Sequence, residues 1–174
     1  PILVDPISPI TLIEFGDYQC NYCNIFFQSI EKEIIKNYVE TGKVKIIFKD
    51  YNIIGPDSIN ASHGAHCANE QELFWEYQDI LYSKWTGENN GWASPTNLTM
   101  FAESIDADMD KWTECMNAKK YSKIIMDSNN DAKSLELTGT PAFFVINSNG
   151  GVSKLFGAQP FEVFQKIFDA ELEK

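Results

Sequence analysis

Two cysteines three positions apart, Cys20 and Cys23, follow directly on a short apolar run, and this junction restricts the fold more than any other feature of the chain. The run Ile10 to Phe15 (ITLIEF) is β-branched and apolar apart from one acid, so it reads as a buried strand that stops at Gly16-Asp17. Beyond the cysteines, Ile25, Phe26, Ile30, Ile34 and Tyr38 recur at helical spacing from Asn24 to Tyr38, and Thr41-Gly42 closes that helix. Lys43 to Phe48 (KVKIIF) is a second strand. The result is strand, helix, strand, with a pair of thiols where the helix begins.

From Ile54 to Leu137 only helical patterns appear: Ser58 to Glu70, Glu72 to Trp85, Thr96 to Ile105, Met109 to Met116 and Tyr121 to Leu137, with a Gly- and Asn-rich loop at Thr86 to Ser94. Ala142 to Ile146 and Val152 to Phe156 then flank Asn147 to Gly151, whose Asn-Gly step marks a hairpin. Phe161, Phe164, Ile167, Phe168 and Leu172 form one face of a last helix behind Pro160. The order β-α-β, helical block, β-β-α predicts an α/β protein with a mixed sheet in a thioredoxin-like layout. Residues 1–55 and 138–174 would form that domain, and residues 56–137 an all-helical insertion.

The 174 residues suit one domain with a large insertion. A net charge of -11 repels a phosphate backbone or an anionic membrane surface, which excludes nucleic acid as a partner. No apolar run approaches the ~18 residues of a membrane span, and Pro1 to Thr11 has neither a basic nor an apolar leader region. Because the chain begins at Pro1 rather than Met, the expectation is a longer natural form whose signal or membrane tether lies ahead of it.

Disulfide exchange requires a thiolate, and a cysteine at a helix N-terminus faces the positive end of the macrodipole and unpaired N–H groups. Cys20 is therefore the expected nucleophile. Cys23, one turn into the helix and more buried, is the expected resolving thiol. The other two cysteines, Cys67 and Cys115, lie 48 positions apart in predicted helices. Counting alone leaves open two disulfides, a redox pair with two buried thiols, or zinc. A tetrahedral zinc site has no second pair of ligands to complete it, and no metal or other cofactor is predicted. His63, His66 and Cys67 share a helix face but lack a fourth ligand, so core or surface histidines are expected.

Glu14 stands in mid-strand, where burial is costly unless the acid is paired or used; the alternative is a solvent-facing carboxylate on an edge strand. Lys49, at the end of the second strand, is its expected partner. Thr140-Pro141 precedes a strand, where a residue without an N–H fits a strand start or a special turn. Trp85, Trp92, Tyr51, Ile53 and Ile54 could line a groove for unfolded peptide, or belong to the core.

The segment Glu14-Phe-Gly-Asp-Tyr-Gln-Cys20-Asn-Tyr-Cys23 resembles the active-site segment of the DsbA-like thiol:disulfide oxidoreductases, and Gly139-Thr140-Pro141-Ala142-Phe143-Phe144-Val145 resembles their cis-proline loop. His66-Cys67-Ala68-Asn69-Glu70-Gln71 followed by Phe74-Trp75-Glu76-Tyr77 is similar to helices of the same family, so the likeness runs from about Pro9 to Phe168. Asn21-Tyr22 departs from the family's usual Pro-containing dipeptide and brings no cation beside Cys20. The resemblance implies an extracytoplasmic oxidase that passes a Cys20–Cys23 disulfide to dithiols of unfolded or newly exported proteins, and is reoxidised by a membrane or soluble partner. It further implies a cis Pro141 beside the sulfurs, a Thr140 backbone that pairs with extended substrate next to Asn21 and Tyr22, and Glu14 as a buried acid relaying the proton of Cys23. A structural Cys67–Cys115 disulfide is implied too, and it would keep both thiols from scrambling with the active site. A reductase or isomerase is the same chemistry at another potential. A holdase, binding unfolded chains through apolar surface near Cys20, is the alternative from another class; a glutathione-transferase relative is weakened by the presence of both cysteines.

Overall fold

The computed structural model describes residues 1–3 and 7–173. Among them are five strands in one sheet: β1 (Ile2–Leu3), β2 (Ile10–Gly16), β3 (Val44–Asp50), β4 (Ala142–Asn147) and β5 (Val152–Phe156), in the spatial order β1-β3-β2-β4-β5. β2 is central, parallel to β3 and antiparallel to β4, and covered on both faces, which is why its sequence is a nearly continuous apolar run rather than an alternation. β5 lies at an edge and alternates between exposed and half-buried residues. Its hairpin turns at Gly150, whose φ of +81° and amide bond to the Asn147 carbonyl need a residue without a side chain. The short β1, antiparallel to β3, has no counterpart in the sequence reading.

Residues 21–39 form one continuous helix, α1, which starts three residues earlier than the apolar spacing alone indicates. Two stretches of it, Phe26–Glu31 and Ile35–Val39, are wound as π-helix, a form often found near functional sites. Phe26, Ile30, Ile34 and Tyr38 face the sheet, where they meet Ile10, Leu12, Val44, Ile46, Phe143 and Val145. The last helix, here α7 (Phe161–Leu172), lays Phe164 and Phe168 into the same layer, with the Phe26 and Phe143 rings 4.5 Å apart.

Between β3 and β4 run α2 (Pro56–Asn69), α3 (Phe74–Ser83), α4 (Pro95–Glu103), α5 (Met109–Ala118) and α6 (Ser122–Ser134). Ser94 and Asp108 begin α4 and α5 as side-chain N-caps, accepting from the amides of Asn97 and Lys111. α6 covers the other face of the sheet, where Ala132 packs with Phe15, Tyr51, Leu137 and Ala142. The remaining helices share one core with the start of α1: Tyr18, Cys23, Phe27 and Phe48 are continuous with Ala61, Ala65, Phe74, Tyr77 and Trp112. Cys67 and Cys115 are bonded as a disulfide and tie α2 to α5.

Candidate active site

The three-residue spacing of the cysteines does a specific job. Cys20 is the N-cap of α1, with extended backbone (φ -73°, ψ 121°), and Cys23 is its third helical residue. The Cys23 amide therefore donates to the Cys20 sulfur at 3.3 Å, in the role a serine or aspartate oxygen plays at an ordinary helix start. Beside it the Thr140–Pro141 peptide is cis, and the Cys20 thiol donates to the Thr140 carbonyl at 3.2 Å.

Burial and hydrogen bonding separate the two thiols. The bond with Cys23 is the largest cause that brings Cys20 down to about 6; burial opposes it, and Thr140 and the Cys23 and Tyr22 amides add to the lowering. Cys23, fully buried, is driven well above the ordinary thiol range by that burial, then by its bond to Cys20 and by the charges of Cys20 and Glu14. Asn21 and Tyr22, between them, point to solvent, and Tyr22 is 61% exposed.

Glu14 is buried at 2% exposure, which removes the solvent-facing alternative. Burial first, and the nearby charges of Glu31 and Cys20 next, push its carboxyl well above the usual range and favour the neutral acid. Lys49 is not its partner. β2 and β3 are neighbours, but Glu14 stands opposite Phe48 and Phe15 opposite Lys49, so the two-residue period of the strands sends Lys49 to the other face, where it pairs with Asp131 and lies over the Phe15 ring.

The loop carrying Cys20 is braced by residues the sequence reading passed over. Asp17, fully buried, accepts from the Gln19 amide and the Ser58 hydroxyl through one oxygen and from the Ile53 and Ile54 amides through the other. Gln19 donates to Ser58 and accepts from the Asn89 amide, and Asn24 donates to the Tyr82 carbonyl at 2.7 Å. The nucleophile is thus held by the helical segment as much as by the sheet. The only clue in the sequence was a polar triplet, Asp-Tyr-Gln, between an apolar strand and a helix.

The other candidates resolve differently. Cys67 is consumed by the disulfide and His66 pairs with Asp50 at 2.7 Å, so His63, His66 and Cys67 form no ligand cluster. Tyr51 and Trp92 belong to the core, Tyr51 donating to the Leu137 carbonyl; of the proposed groove residues only Ile53 is openly exposed. A cleft of about 240 Å³ lies elsewhere, along Thr138 to Pro141 with Phe156 and Gly157, and Phe156 is 48% exposed.

A dithiol at the N-terminus of a helix, facing a cis-proline loop on a thioredoxin-like sheet, defines a thiol:disulfide oxidoreductase. A family model described as thioredoxin matches residues 5–170. Disulfide bond formation protein D of Bacillus subtilis is 26% identical over 183 residues, covering 99% of this chain and 77% of the relative, and the probable protein D of Bacillus anthracis is 25% identical over 171 residues, covering 96% and 76%. Oxidised BdbD of Bacillus subtilis superposes with a TM-score of 0.88 at 22% identity, over 100% of this chain and 93% of that one. Wolbachia pipientis alpha-DsbA1 gives 0.85 at 24% identity, over 98% and 89%. The chain belongs to the thioredoxin family, and its fold is that of the DsbA structures.

Proposed function

We propose that the chain is a disulfide oxidase acting outside the reducing cytosol on thiol pairs of newly exported proteins. The observation that carries this reading is Cys20 itself: a helix-capping sulfur that keeps 7% exposure, with its partner thiol fully buried behind it. A client thiolate attacks the Cys20 sulfur of the disulfide form; a client–Cys20 bond forms, the Cys20–Cys23 bond breaks, and Cys23 leaves as a thiolate that takes up a proton. The second client thiolate then attacks the client sulfur of that mixed disulfide and expels Cys20. A leaving thiolate with a lowered pKa departs faster, and stabilising it favours the reduced enzyme, which makes the oxidised form the stronger oxidant. Two electrons move from client to enzyme in each cycle, so a partner must take them up again.

Glu14 is suited to hold the proton that Cys23 gains, and the cleft along Thr140 and Phe156 is suited to an extended client segment. The second, buried disulfide supports an oxidising compartment. Among the described residues no helix is long and apolar enough to cross a membrane.

Equilibration with glutathione, followed by oxidation of a reduced unfolded protein, tests the proposal. The expected potential lies between about -120 and -270 mV, the DsbA and thioredoxin values. A value at or below the lower figure makes the chain a reductase. A Cys20→Ser, Cys23→Ser protein should lose thiol oxidation entirely; if wild type shows none and both forms suppress aggregation, the chain is a holdase.

A further inference from the structure

The loop between α3 and α4, residues 84–94, reaches the residue that precedes the nucleophile. Gln19 is fully buried, and its side-chain amide is engaged at both ends: Nε2 donates to the Ser58 hydroxyl at 2.9 Å and to Asn89 Oδ1 at 3.3 Å, while Oε1 accepts from the Asn89 backbone amide. Asn89, 70 positions along the chain and itself exposed, is thus bonded to Gln19 through both backbone and side chain.

Two backbone features show that this contact is specified from the Asn89 side as well. Asn89 has a φ of +50°, in the left-handed region where asparagine is tolerated and most residues are strained. Gly55, which begins α2, has extended backbone (φ 171°, ψ -170°) that any residue adopts, yet a Cβ there would fall 1.9 Å from Asn89 Oδ1 and 2.8 Å from its Cγ. The glycine is therefore needed for room and not for conformation, and the room it leaves is taken by the Asn89 side chain, whose Nδ2 also donates to the Ile54 carbonyl at 3.4 Å. Further along the loop the Gly91 amide donates to Asp57 at 3.0 Å, Asn97 donates to the Trp92 carbonyl at 2.9 Å, and Trp92 is buried. Asn89 is thus held in place by its own loop and does not simply follow Gln19.

We infer that Asn89, seated in the space that Gly55 leaves, is a positioning residue for the nucleophile: through Gln19 it holds Cys20 in the extended cap geometry that presents the sulfur to the Cys23 amide. The turn from Asp17 to Cys20 is closed from within by the Gln19 amide on Asp17 Oδ1 and the Cys20 amide on the Asp17 carbonyl. The Gln19 side chain ties that turn to the helical segment, at Ser58 on one side and Asn89 on the other.

The Cys23 amide lies 3.3 Å from the Cys20 sulfur, and hydrogen bonds weaken steeply as they lose alignment, so a turn released at Gln19 loses its hold on the thiolate while the fold persists. The same bond is the largest cause that lowers Cys20, so the ionisation of that thiol reports the cap geometry. The thiolate is common to an oxidase, a reductase and an isomerase, and the role of Asn89 does not depend on the direction in which electrons flow.

The test is a double-mutant cycle read at the thiol. Gly55→Ala leaves every hydrogen-bonding group in place and fills only the seat of the Asn89 side chain. In the reduced protein it should raise the Cys20 pKa, followed by thiolate absorbance, by about half a unit, and move the equilibrium with glutathione toward the disulfide form by up to about threefold. Asn89→Gly keeps the left-handed backbone and its amide but removes the side chain; in that background Gly55→Ala has nothing to collide with and should leave the pKa where Asn89→Gly alone puts it. Asn89→Ala, strained at a φ of +50°, should raise the pKa further than Asn89→Gly does, and it provides a second measurement if Gly55→Ala folds poorly. A pKa unmoved by Gly55→Ala and by Asn89→Ala overturns the inference even if urea unfolding shows that stability is lost. So does a Gly55→Ala shift of equal size with and without the Asn89 side chain, which would place the effect at the start of α2 alone.

Discussion

Replacing Cys20 by serine in the reduced protein isolates one quantity, the stabilisation that the fold gives the Cys20 thiolate. Serine caps a helix as well as the sulfur does, so Cys20→Ser keeps the N-cap bond and deletes only the ionisation. The folded thiol titrates near 6, against 9.0 for an unperturbed thiol. A folded pKa below the unfolded one contributes stability that is fully present above the unfolded value and is lost as the pH falls through the folded value. At pH 7, one unit above the folded value, the contribution is about 1.4 kcal/mol, and its ceiling above pH 9 is about 4 kcal/mol. Cys20 keeps 7% exposure at the helix end, and the screening this allows leaves about half of each figure as the working expectation. Urea unfolding of reduced wild type and Cys20→Ser across this range, extrapolated linearly to water, measures the difference directly. The wild-type advantage should be constant below pH 6, climb between 6 and 9, and level off above. A difference that stays constant across the whole range would show that the fold does not stabilise the thiolate, and the argument for an oxidant would go with it.

Three further outcomes are expected. Glu14→Gln should fold and be as stable as wild type or more so, because it removes a buried ionisable group, while the Cys23-dependent step slows by about 10²-fold in stopped-flow exchange with glutathione. Mild dithiothreitol should reduce a Cys20–Cys23 disulfide and leave the buried Cys67–Cys115 bond intact, giving two alkylated thiols by mass spectrometry and four after denaturation with reductant; converting both Cys67 and Cys115 to Ala should cost about 4 kcal/mol in urea unfolding, given the 48-residue separation. Asp17→Ala strips four hydrogen bonds from a buried site, so it should destabilise by about 3 kcal/mol or more and, by loosening the loop, raise the pKa of Cys20 as followed by thiolate absorbance.

The order of elements was legible because each carries its own period. β2 is an apolar run because both its faces are covered, and Phe161, Phe164 and Phe168 fall on one side of a helix that runs from Phe161 to Leu172, as their spacing requires. The cysteine spacing contained the cap geometry itself, since an N-cap and the third helical residue are three positions apart. Lys49 misled because strand adjacency was treated as contact, whereas register decides which face a side chain takes. Glu31 was hidden inside Glu31-Lys32-Glu33, which reads as a solvated charged face; the π winding from Phe26 to Glu31 inserts extra residues into the turn and carries Glu31 inward. Asp17 and Gln78 were illegible for a related reason: their burial is set by partners 36 to 41 positions away or on a packed neighbouring helix, which no local pattern encodes.

The bond between Cys67 and Cys115 has a consequence for how a population of this protein comes into being. With its cysteines 1% and 3% exposed, the bond is out of reach once the helices have closed, so it has to be made while the chain is still open. At that moment the nascent chain is itself an unfolded dithiol of the kind a mature copy would oxidise. On the proposed oxidase activity, maturation would be autocatalytic: refolding from the fully reduced state should show a lag that shortens when folded, oxidised protein is seeded into it, and a lag that seeding leaves unchanged would refute it.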